Sequence, residues 1–83
     1  MDSLHVEIEV CDGKSVAVVR VTGFVDTTTA TRLEHVLEDT IDGGSRLIVV
    51  DLGGLDYVSS SGWGVLISVV GHLRERGGDL RLI

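Results

Sequence analysis

Residues 58–64 read VSSSGWG, placing Ser59, Ser60 and Ser61 in a row before the only tryptophan, Trp63. A serine can attack as a nucleophile, accept a phosphoryl group or cap a helix. Nucleophilic attack needs a base and a group to orient it. His5, His35 and His72 are scattered without triad or metal-ligand spacing and are expected on the solvated surface. The serine run also lacks the preceding glycine of a nucleophile elbow. Gly53-Gly54 is too short for a phosphate-binding loop. The remaining chemistry is that of a hydroxyl at a helix entrance, where unpaired N–H groups and the helix dipole favour an anion, including a covalent phosphate. Serine is equally a favoured N-cap, a role that suits Ser59 or Ser60.

The elements that must place these serines follow from periodicity. Residues 4–10 alternate, with Leu4, Val6, Ile8 and Val10 on one side and His5, Glu7 and Glu9 on the other. That predicts a strand with one wet face. Asp12-Gly13 suits a hairpin turn, because both tolerate positive φ. The β-branched run 15–22 predicts a second strand, broken by Gly23-Phe24-Val25-Asp26. Threonines follow, and Thr31 with Glu34 has capping-box spacing. From about residue 29, Ala30, Leu33, Val36, Leu37 and Ile41 recur at helical intervals, until Gly43-Gly44 stops the pattern.

Residues 46–52, RLIVVDL, predict a strand covered on both faces, with a loop, GGLDYVSS, after it. A second helix is expected from Ser60 or Ser61, burying Leu66, Val69, Val70 and Leu73 and ending at Gly77-Gly78. Arg74 and Arg76 fall in its last turn, where cations suit the dipole. Residues 79–83 form a short final strand. The order β-β-α-β-α-β predicts an α/β fold with a small four-stranded mixed sheet, as one domain over 1–83. The serines then lie beyond the carboxyl end of the third strand, where sites gather in open sheets. Asp26 follows the second strand at the same end, either contacting a partner or capping the first helix.

The 83 residues carry a net charge of −6 and are 43% hydrophobic. Nucleic acid and anionic membrane surfaces are disfavoured as partners, since binding either would need a basic stripe. No apolar run is long enough to span a membrane, and no leader is recognised. Cys11 has no second cysteine to pair with, so a free thiol in a reducing cytoplasm is expected. No paired base, metal cluster or cofactor loop is visible, so neither enzyme activity nor a cofactor is expected. The final strand reaches Ile83 with its edge uncovered and Leu82 and Ile83 available, so association into a homodimer is expected.

Asp51-Leu52 followed by Ser60-Ser61-Gly62 with Gly64 and Leu66, and Gly23-Phe24-Val25-Asp26 followed by Thr29-Ala30, resemble the two motifs of the STAS domain, the module of anti-sigma factor antagonists. The resemblance covers nearly the whole chain, and the order of elements agrees with it. It implies that Ser60 is the phospho-acceptor. It also implies an anti-sigma factor partner with serine kinase activity, bound by the unphosphorylated form and released on phosphorylation. Asp26, Ser59, Ser60, Ser61, Gly62 and Trp63 would form the partner surface. The chain departs from the pattern at Ser59, where the family usually has aspartate, and at Gly53, Phe24 and Trp63. The family's further C-terminal helix is absent. STAS-like subunits also bind ABC-transporter ATPases without a phosphorylation cycle, and serine in place of that aspartate fits this alternative.

Overall fold

The computed structural model describes residues 4–83. Six elements follow in order: β1 (Leu4–Cys11), β2 (Val16–Val25), α1 (Ala30–Asp42), β3 (Leu47–Val58), α2 (Ser60–Glu75) and β4 (Asp79–Leu82). The strands lie in the order β1-β2-β3-β4, with β1 antiparallel to β2 and the other pairs parallel. This is the predicted mixed sheet, and no helix follows β4 within the described residues.

The hairpin between β1 and β2 turns on Asp12, Gly13 and Lys14, all at positive φ. The Ser15 hydroxyl secures it by donating to the Asp12 carbonyl at 2.7 Å. Beyond the hairpin, each crossover steps one strand in the same direction along the sheet. Two crossovers of one hand therefore place both helices on one face, where they pack against each other. Between them and the sheet lies the core: Ala17, Val19, Val21 and Val25 from β2, Ile48 and Val50 from β3, Leu33, Leu37 and Ile41 from α1, and Leu66, Val69 and Leu73 from α2.

This one-sided cover corrects two expectations. Strand β3 is not covered on both faces: Ile48 and Val50 are buried, while Leu47 and Val49 are only partly so on the open side. On β1, Leu4 is buried and Val6 half-buried, but Ile8 and Val10 are exposed. Among the described residues this edge strand pairs with β2, and Arg32 of α1 donates to its Leu4 carbonyl.

The strand ends also differ from the sequence reading. Strand β2 does not break at Gly23, and residues 53–58 are strand rather than loop. The two irregular tails pair with each other through two register shifts, between Arg20 and Thr22 and between Gly23 and Phe24. Each supplies the hydrogen bonds that the other needs, so composition typical of loops is held as bulged strand. Gly54 permits this contact, since a Cβ there would lie 2.4 Å from Thr22 Cγ2.

Candidate functional site

The carboxyl ends of β2 and β3 meet the entrances of both helices. The Ser59 N–H donates to the Val25 carbonyl at 2.7 Å, tying the start of α2 to the end of β2. Ser59 is the N-cap: its extended backbone (φ −84°, ψ 171°) aims Oγ at the helix, where it accepts from the Gly62 N–H at 3.3 Å. Its carbonyl accepts from the Trp63 N–H at 3.1 Å. Capping thus falls to Ser59, the first of the two serines that suited it. Ser60 and Ser61 open the helix, both exposed, and among the described residues their hydroxyls have no partner.

Gly62 is buried against the sheet. A Cβ at this position would stand 2.7 Å from both Val25 Cγ1 and Val58 Cγ2. Of the residues expected in the contact surface, Gly62 is thus the one buried in the fold: it lets α2 sit close on the strands. Trp63 stays outside the buried stripe and is 42% exposed. Val70, expected in that stripe, is half-buried at its margin.

Asp26 anchors the turn into α1. Its Oδ1 accepts from the Thr28 hydroxyl at 2.7 Å, the Thr28 N–H at 2.9 Å and the Thr29 N–H at 3.0 Å. In return, the Asp26 N–H donates to Thr29 Oγ1 at 2.9 Å. The Thr28 hydroxyl first, then the N–H groups of Thr29 and Thr28, hold the carboxyl below its ordinary value. This reciprocal knot replaces the capping box expected of Thr31 and Glu34; Thr31 already lies inside the helix. One oxygen of Asp26 is thus committed to the fold.

Two residues outside the expected surface stand at the same end of the sheet. Phe24 and Tyr57 are register partners, 43% and 52% exposed, with ring centroids 6.4 Å apart. They were missed because residues 53–58 read as a loop. The alternation of Phe24 with buried Val25 was the only signal for half of the pair. Among the histidines, His5 lies 3.6 Å from Glu7 on the surface, as expected. His72 instead joins Glu38 of α1 across the two helices, partly buried.

Among the described residues, no group of His, Cys, Asp or Glu could hold a metal, and no helix is long and apolar enough to cross a membrane. A cleft of about 390 Å³, between Arg46 and Gly78, lies at the opposite end of the sheet.

The STAS domain profile matches residues 6–83. The Bordetella bronchiseptica protein BtrV, which carries the name of an anti-sigma factor antagonist, is 41% identical over 71 residues, covering 86% of this chain. An anti-sigma factor antagonist from Mycobacterium paratuberculosis superposes with a TM-score of 0.84 at 28% identity over 96% of the chain. Bacillus SpoIIAA, solved in its phosphorylated form, superposes at 0.75 with 20% identity, covering 95% of this chain and 69% of its own, a likeness of fold. The chain spans 60% of the length of BtrV and 66% of the mycobacterial protein.

Proposed function

The chain belongs to the STAS domain family, is like the anti-sigma factor antagonists within it, and, we propose, acts as one by docking its Ser60 surface on an anti-sigma factor that is also a serine kinase. The observation that carries this reading is the division of labour among the serines. Ser59 caps the helix, leaving the Ser60 hydroxyl exposed and unengaged in the first turn. Phosphorylation of Ser60 then acts on the complex while the fold stays intact. A phosphate adds about −1.5 to −2 charges, for which the helix dipole returns about 0.3–1 kcal/mol. In a closed interface, desolvation and repulsion from Asp26 outweigh that return. Ser61 and Trp63 complete the surface, with the outward edge of Asp26. The protein works in the bacterial cytoplasm in this reading and catalyses nothing itself.

The test is incubation with an anti-sigma kinase and ATP, followed by intact mass. One added phosphate, absent in Ser60→Ala, is the expected result, together with weaker kinase binding by Ser60→Asp at unchanged circular dichroism. Ser60→Asp that unfolds the chain would make the serine structural and end the proposal. The neutral Ser59 cap, in place of the family's aspartate, favours one second reading: an accessory subunit binding an ABC-transporter ATPase. Absence of phosphate uptake with tight ATPase binding would select it. Homodimerisation through β4 would use exposed Leu82. It requires the Asp79 carboxylate to release the Leu80 N–H that it holds at 2.9 Å. Only weak pairing at high concentration is therefore expected, and a strict monomer in sedimentation refutes it.

A further inference from the structure

The Phe24–Tyr57 pair lies on the sheet face opposite the helices. Val25 and Val58, their neighbours in the chain, point inward against Gly62, so Phe24 and Tyr57 point outward. The register makes this arrangement. Gly23 pairs with Leu55 and Phe24 with Tyr57, leaving Asp56 as an extra residue in β3. Without that bulge, alternation from inward Leu55 would turn Tyr57 into the core and Val58 outward. One inserted residue therefore sets two aromatic rings side by side in solvent, and bulges commonly re-aim side chains in this way.

The surroundings of the rings are acidic. Asp56 is exposed and, among the described residues, has no hydrogen-bond or ion-pair partner. Asp51 lies further down the same face, and its Oδ1 accepts only from the Gly53 N–H at 2.9 Å. Gly53 and Gly54 separate it from Tyr57, and the Thr22 side chain lies over Gly54 between them. Cations of this face are engaged elsewhere: Arg20 turns to Glu9 at 3.2 Å, and Arg81 to Asp79 at 2.7 Å. Exposed aromatic faces with the unpaired Asp56 carboxylate beside them complement one chemistry best. A guanidinium is planar, weakly hydrated and permanently charged; it stacks on rings and pairs with carboxylates.

We propose that the Phe24–Tyr57 face, with Asp56 beside it, receives an arginine side chain of a protein partner. This surface shares the Ser60 end of the sheet but lies on its open face, and its recognition chemistry uses no phosphate. The α2 helix stands on the other side of the sheet.

The probe is a capped Gly-Arg-Gly-Arg-Gly peptide, titrated into the isotopically labelled chain and followed by NMR. The control is the same peptide with citrulline, which keeps the shape and removes the charge. Saturable shifts at Phe24 and Tyr57 are expected, with citrulline binding at least about two- to five-fold weaker. Tyr57→Ala and Asp56→Asn should each weaken arginine binding by a similar factor, while Ser60→Ala leaves it unchanged. Both variants alter exposed groups, and circular dichroism checks their folding. Equal binding of the citrulline peptide, shifts centred away from the two rings, or no saturable shift overturns the proposal.

Discussion

Replacing Gly62 and Gly64 by alanine, one at a time, separates packing from helix propensity within one turn of α2. Alanine relieves a helical glycine of about 0.5–1 kcal/mol of unfavourable conformational entropy. At Gly64 nothing lies within 4 Å of the new Cβ, so that gain should appear in full. At Gly62 the Cβ would press to 2.7 Å on Val25 Cγ1 and Val58 Cγ2. Neither atom is the free end of a long side chain. Both valines are stiff at χ1 and held in strands, and Val25 is 1% exposed. Overpacking of this kind costs about 1–3 kcal/mol. The net expectation is a loss of up to about 2.5 kcal/mol at Gly62 against a gain of about 0.5–1 kcal/mol at Gly64, so the variants differ by the overpacking cost of about 1–3 kcal/mol. A domain of this size shifts by roughly 4–8 °C in Tm per kcal/mol. The two variants should therefore stand apart by roughly 4–24 °C in thermal unfolding followed at 222 nm. Coincident melting curves would refute the packing argument and return Gly62 to the set of surface residues.

The remaining predictions use the same region. Ser59→Ala should cost about 1 kcal/mol through loss of the cap, whereas Ser60→Ala should leave Tm unchanged; chemical denaturation compares them. Asp26 has a depressed pKa in the fold, so its stabilisation is fully present above the unfolded value near about 3.9 and is lost as pH falls through the lower folded value. Asp26→Asn should therefore melt below the parent at neutral pH, and the gap should close at strongly acid pH. Gly54→Ala should destabilise by collision with Thr22 Cγ2, and Thr22→Ser, which deletes that methyl, should restore much of the loss in the double variant.

Local patterns were sufficient for the elements whose signals are local. The stripe Leu33, Leu37 and Ile41 buries one face of α1 as its spacing requires, and Asp12-Gly13 makes the hairpin. Of the serine cluster, position at a helix entrance was legible, because an apolar strand, small polar residues and an apolar helix follow in order. Which serine caps was not, since Ser59 and Ser60 have the same chemistry one residue apart. The backbone direction at Val58, set by pairing with Val25, decides it.

The sequence by itself determined the kinds of element, their order and the polar character of the loops, because hydrophobic period and turn chemistry act over a few residues. Tertiary structure alone decided which apolar faces are covered. Ile8 and Val49 look as apolar as Val19 and Val50, but only the latter two lie buried beneath the helices. It also decided that glycine-rich tails pair as bulged strands, that Gly62 faces inward, and that Phe24 and Tyr57 stand together in solvent. Each of these depends on contacts between residues about thirty or more apart, and local propensity carries no information about what will lie opposite.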